Sequence, residues 1–211
     1  MRFLPTLLLL LGTALAAAFA AFTVEPAGDQ VVDLATGVTT LPDGGRLVDA
    51  ETGLALEAPF IAYQEGVFVR AKKARLTTEK VHFFAEKLDY DVKKGVARLE
   101  GEVRLDSPWI EGLRAPRARY YPGPGVAVLE GGVTAKKPDF TAKTLVADLK
   151  KRLALLLGEF RFTDPELGVV LKGKGEGARL LLVFDDEGRV SAETEVPKDV
   201  YERLVGFLKG E

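Results

Sequence analysis

Cysteine is absent from this sequence, which removes disulfides, thiolate metal sites and cysteine nucleophiles together. Asparagine is absent too, and glutamine is confined to Gln30 and Gln64, a shortage of heat-labile amides that suits a chain made to withstand high temperature. One histidine, His82, and two serines, Ser107 and Ser191, leave little for acid–base or nucleophilic chemistry. Neither serine lies in a nucleophile motif, and His82, beside Phe83 and Phe84, has no second histidine at ligand spacing. The run Asp185, Asp186, Glu187 offers too few ligands for a calcium loop, and the glycines at Gly173, Gly175 and Gly177 lack the Lys-Ser/Thr ending of a phosphate loop. No enzyme, metal site or cofactor is expected. An excess of charge of one sign is also missing: 29 Lys+Arg stand against 31 Asp+Glu, so no basic field favours nucleic acid.

What is present begins with MRFLPTLLLLLGTALAAAFAAFTVEP. Arg2 supplies a positive start, Phe3 to Leu11 an apolar stretch, and Ala14 to Ala16 or Ala18 to Ala20 a small-x-small cleavage site. Residues 1–20 therefore read as a secretory signal peptide, with an uncleaved anchor over Phe3 to Phe22 as the alternative. In either case the rest of the chain is expected beyond the cytoplasm, in a periplasm or at the cell surface.

With 47% hydrophobic and 28% charged residues in 211, the remainder suffices for one domain, expected over residues 23–196. Its apolar residues alternate with period two, as in half-buried strands. Recurrent turns join them: Asp33 to Gly37, Asp49 to Gly53 and Asp91 to Gly95 each place an aspartate four residues before a glycine, a pairing suited to short hairpin loops. The pattern indicates an all-β sandwich, roll or barrel. Only residues 197–211 break it, where Val200, Leu204, Phe207 and Leu208 share one helical face after Pro197. That short amphipathic helix is expected to cover Leu153, Leu155 and Leu157, which make an outer strand face apolar; a partner subunit is the rival cover.

Segments 95–105 (GVARLEGEVRL), 125–135 (GVAVLEGGVTA) and 152–162 (RLALLLGEFRF) repeat one another. A period of 20 to 50 residues marks a supersecondary unit that cannot bury its own apolar face. Alternation assigns Ala97, Leu99, Gly101, Val103 and Leu105 to the inner face of the first copy, Leu129, Gly131 and Val133 in the second, and Leu156, Gly158, Phe160 and Phe162 in the third. Aligned glycines at Gly101, Gly131 and Gly158 would either leave a slot along an apolar interior or only let the sheet coil sharply.

The units at 88–105, 118–135 and 145–162 carry Tyr90-Asp91 before the turn, Gly95-Val96-Ala97 after it and the run Leu99-Glu100-Gly101, with alanines at Ala85, Ala115 and Ala142 in phase. They resemble the repeats of the OstA-like family of periplasmic lipopolysaccharide-transport proteins, the LptA and LptC type and the N-terminal domain of LptD. The resemblance covers roughly residues 67–162; Tyr121 replaces the aspartate in the second copy and the third lacks the turn glycine. It implies a twisted, partly open β-jellyroll whose apolar inner face, the residues named above, holds the acyl chains of lipopolysaccharide or a related glycolipid. It also implies end-to-end pairing of edge strands with like domains, a second copy included. The basic clusters Arg70, Lys72, Lys73, Arg75 and Arg114, Arg117, Arg119 are then headgroup candidates if they ring the groove mouth, and solvated strand faces otherwise. A secreted assembly module that pairs through β edges without cargo remains the alternative.

Overall fold

The computed structural model describes residues 21–210 apart from 51 and 79, so the leader reading, on residues 1–20, lies outside the described residues. Sixteen strands follow one another: β1 (Phe22–Pro26), β2 (Val31–Asp33), β3 (Val38–Leu41), β4 (Gly45–Asp49), β5 (Ala55–Ala58), β6 (Phe60–Gln64), β7 (Phe68–Thr77) and β8 (His82–Asp91). Then come β9 (Val96–Asp106), β10 (Leu113–Tyr121), β11 (Val126–Ala135), β12 (Phe140–Asp148), β13 (Leu153–Thr163), β14 (Val170–Gly173), β15 (Arg179–Phe184) and β16 (Val190–Glu193). Helix α1 (Lys198–Gly206) and a 3-10 turn (Phe207–Lys209) close the chain. No helix among the described residues is long and apolar enough to cross a membrane.

The aspartate–glycine turns form as their chemistry dictates. Asp33 Oδ1 accepts the Ala35 amide at 2.9 Å, Asp49 Oδ1 accepts that of Thr52 at 2.7 Å, and Asp91 Oδ1 accepts that of Lys94 at 3.0 Å. Each aspartate ties down the loop it begins, and hairpins between neighbours in sequence give an antiparallel sheet from β7 to β13.

That sheet is single in its middle and double at its ends. Residues Phe68 to Lys72 of β7 pair with β6, whereas Arg75 to Thr77 pair with β5. At the far end Phe160 to Thr163 of β13 pair with β14, and Leu153 to Leu157 pair with β15. Between these forks runs a line of bulges. Residues 101–102 of β9 stand opposite residue 116 of β10, 131–132 of β11 opposite 143 of β12, and 158–159 of β13 opposite the same 143. An extra residue in every second strand, always at the same level, bends the sheet along one line. The two halves fold over this crease into facing layers with their apolar sides together. Aromatic pairs span the interior: Phe22 of β1 meets Tyr63 of β6 at 5.1 Å between ring centroids, and Phe83 meets Tyr120 at 4.7 Å. First and last strands do not pair, so the sheet stays open. This is the expected twisted, partly open β-jellyroll of repeated strand-turn-strand units with a short C-terminal helix.

The repeated glycines belong to the crease, which corrects their assignment to the inner face. Gly101, Gly131 and Gly158 have φ of 75°, 91° and 76°, the left-handed region in which a Cβ is costly. A Cβ at Gly101 would lie 2.8 Å from Glu86 Cβ, one at Gly131 would lie 3.1 Å from Pro116 Cγ, and one at Gly158 would lie 3.0 Å from Lys143 Cβ. All three neighbours are exposed, so the open side of each glycine faces outward. No row of glycines lines the interior. Gly101→Ala is expected to lower stability by about 1–3 kcal/mol through the forced backbone conformation, read as a lower midpoint in thermal unfolding.

A second, smaller core holds the helix on the outer face of one layer. Leu204 is fully buried against a patch that includes Val128, Val146, Leu155 and Leu181, with Leu153 and Leu157 packed beside it. Arg203 Nη1 donates to Asp148 Oδ2 at 2.6 Å, and Arg119 Nη2 donates to the Leu208 carbonyl at 3.1 Å. Tyr121 adds a ring contact to Phe207 at 5.1 Å. The Arg119 bond, and one that the Tyr121 hydroxyl donates to the Phe207 carbonyl at 3.4 Å, satisfy carbonyls that the helix end would otherwise expose.

Candidate functional site

Between the layers lies one continuous apolar surface. Its inner positions fall in register from strand to strand: Leu88 opposes Leu99, Leu99 opposes Ala118, Ala118 opposes Leu129, Leu129 opposes Leu145, and Leu145 opposes Leu156. Ile61 and Ala71 extend this row on one side and Leu180 on the other. Nine strands at ~4.8 Å spacing make a strip about 38 Å long. The opposite layer contributes Val103, Leu105, Val133, Phe160 and Phe162, all buried, and Ala97 lies in a second row one step toward the turns of the first layer.

Every position of this row is apolar. A buried carboxylate, Asp49 at 2% exposure, lies beyond it at the β4–β5 turn, where it accepts the Thr52 amide and hydroxyl, and its charge adds to burial in raising the Tyr90 phenol. Burial pushes the Tyr120 phenol up to about 12 and raises that of Tyr90 as well, burial again being the larger cause, so both remain neutral at physiological pH. The surface is suited to hydrocarbon and to nothing that needs a charge partner.

It is also filled. Leu99 is 1% exposed, and Leu129 and Leu156 are wholly covered. None of the three borders any of the described cavities. Among the described residues these three leucines are thus packed between closed layers rather than set along an open trough. Each wall packs against the other, because an apolar slot too dry for water forfeits the dispersion contacts of both its sides.

The basic residues do not ring a mouth. Arg70, Lys72, Lys73, Arg75, Arg114 and Arg117 sit exposed on outer strand faces, on the far side of the sheet from the apolar strip. Arg70 Nε donates to Asp89 Oδ2 at 2.9 Å and its guanidinium stacks 4.4 Å over the Phe68 ring, while the Lys72 ammonium lies 4.9 Å over Phe60. Arg70, Lys72 and Lys73, with Lys87 and Arg98, border an outer groove of about 910 Å³ that Glu86, Asp89, Asp91 and Glu100 also line, so cations and carboxylates are mixed there. Arg119 is occupied in holding the helix, through Leu208 and an ion pair to Glu130 at 3.4 Å.

Residues that the sequence pattern did not single out close the other side. The β9–β10 turn carries Trp109, whose indole lies 5.1 Å from the Phe184 ring of β15. The two belong to opposite layers, and the contact is made by side chains rather than by a strand ladder. A lone tryptophan after Ser107 and Pro108 was the available signal.

Both ends of the roll are unfinished. β1 and β2 end the two layers on one side, β14 and β16 on the other, each with a free edge. Large exposed hydrophobic residues collect there. Val31, Val32 and Leu34 lie at the first end and Leu167, Val169 and Val170 at the second, leaving only Val67 elsewhere among the described residues.

No protein-family model matches the chain, and no curated protein matches it. Among solved structures it is similar to LptH from Pseudomonas aeruginosa, described as the LptA-homologous periplasmic component of the lipopolysaccharide transport device. The TM-score is 0.40 at 10% identity, over 86% of this chain and 99% of that one. At that score the functional reading rests on the geometry of this chain alone.

Proposed function

We propose that the chain is a periplasmic lipid carrier, not an enzyme, which receives the acyl chains of lipopolysaccharide or a related glycolipid between its two layers on the way from the inner to the outer membrane. The observation that carries this reading is the uninterrupted row of apolar positions enclosed by layers that are continuous along the crease and unpaired along the opposite side. Loading then requires the layers to part about the bulges and lipid tails to take the place of the opposing wall. Each methylene removed from water contributes roughly 0.8 kcal/mol, so one long chain can replace wall-to-wall packing without directional contacts. The inner residues Ala97, Leu99, Val103, Leu105, Leu129, Val133, Leu156, Phe160 and Phe162 would meet the chains. Free edges with apolar margins at both ends support joining of successive copies, or of similar domains, by strand addition.

A second reading has its own support. Because the interior is filled as it stands, the chain could serve as an edge-pairing assembly module that carries nothing. Native mass spectrometry of the mature protein, purified without detergent from a cell that makes lipopolysaccharide, separates the two. The carrier is expected to fly with an acylated amphiphile bound at about one per chain, removable by organic extraction. Protein that is lipid-free as purified, and stays so after incubation with lipopolysaccharide, would sink the carrier reading and leave the assembly module.

A further inference from the structure

Where the layers meet beside Trp109 there is a cleft of about 690 Å³. Unlike the outer groove near Arg70, it draws its walls from both layers: Pro108, Trp109 and Pro138 from one, Gly188 of the β15–β16 turn and Val190 of β16 from the other. At its neck a Cβ placed on Gly188 would lie 3.7 Å from the Pro108 carbonyl oxygen, so the two turns approach closely without a backbone hydrogen bond between these residues. Trp109 lines it, and behind Trp109 lies the Phe184 ring, tilted 41° to the indole. Phe184 and Val190 are part of the buried interior, and half-buried Trp109 packs against it.

The cleft is amphipathic in the order an amphiphile requires. Val190, Trp109 and Pro138 are its buried or half-buried apolar lining, while its rim carries Lys137 paired with Glu111 at 3.1 Å, Arg189 paired with Glu187 at 3.0 Å, and Asp139 paired with Arg161 at 2.8 Å. The Arg161 and Thr163 hydrogen bonds hold the Asp139 carboxyl below its ordinary value, so Asp139 stays ionised across the physiological range.

We propose that this cleft is the port through which an acyl chain enters the interior, with the Trp109–Phe184 stack as its gate and the charged rim holding the polar head outside. The inference rests on the carrier reading and adds where loading begins. Three features point to it: walls from both layers, depth continuous with the interior, and closure by one aromatic pair. Opening here breaks side-chain contacts only, whereas opening at the crease would break strand ladders.

Cysteine-free sequence makes the test direct. Pro108→Cys combined with Glu187→Cys is compared with itself before and after bridging by a short bis-maleimide, using cis-parinaric acid, a fatty acid whose emission rises when it leaves water. The unbridged protein is expected to take up the probe with quenching of Trp109, the single tryptophan, and the bridged protein to take it up at least roughly tenfold more slowly. Trp109→Ala is expected to speed uptake by roughly three- to tenfold, the kinetic equivalent of one aromatic pair, and Trp109→Phe to restore the slower rate. Circular dichroism confirms that each variant is folded. Equal uptake by bridged and unbridged protein, or wild-type kinetics in Trp109→Ala, would overturn the port and leave the carrier reading standing. No uptake by the wild-type protein would overturn both.

Discussion

Leu156→Ala is expected to lower the free energy of unfolding by about 2–5 kcal/mol, the range for truncating a wholly buried leucine in a core that cannot collapse to fill the gap. Collapse is restricted here because Leu156 is fully covered and lies between Leu145 and Leu180, each held in register by its own strand. Urea denaturation with and without cis-parinaric acid reads both the loss and its remedy. If the interior receives acyl chains, the probe stabilises the variant more than the wild-type protein, since it enters a space already vacated. A cost below about 1 kcal/mol would mean that the site relaxes freely, contrary to the close packing described above.

Removal of residues 197–211 is the second large effect. The helix covers Val128, Val146, Leu155 and Leu181, all nearly or wholly buried, and its Arg203 neutralises Asp148, which is 2% exposed. Losing Leu204 and the residues it shields forfeits roughly 5 kcal/mol or more of apolar burial, at about 1.5–3 kcal/mol per large side chain. For a chain of this size that corresponds to a fall in unfolding midpoint of roughly 10–20 °C. Scanning calorimetry measures the fall, and light scattering the aggregation that an uncovered apolar sheet face invites. A truncated protein as stable and as soluble as the full chain would show that the helix is not what protects this face.

The strands and the helix were legible because each writes its period locally. Alternation marked β7 to β13, the aspartate–glycine spacing marked the turns after β2, β4 and β8, and Val200, Leu204, Phe207 and Leu208 marked the helical face. The crease was hidden in the repeats, where Ala97, Leu99, Gly101, Val103 and Leu105 keep an unbroken i, i+2 rhythm through the bulge. Its trace lies on the strands between. There Lys72 and Lys73, Glu86 and Lys87, and Pro116 and Arg117 are adjacent exposed residues, a slip of one position that flips which side chains point inward. The Trp109–Phe184 contact joins a turn of one layer to a strand of the other and has no local pattern to announce it. Nor can alternation say how far apart two apolar walls stand; it assigns a face, and only packing decides whether that face encloses space.

The line of bulges carries a consequence for how such a chain can change its length. Each repeat brings two strands and the same bend at the same level, so one more copy inserted between β9 and β13 would meet neighbours already creased to receive it. The roll would grow by about 10 Å per copy, two inter-strand spacings, with its cross-section and both terminal edges untouched. Reach and bore are thus set by separate parts of the sequence, the number of repeats for one and the position of the glycines for the other.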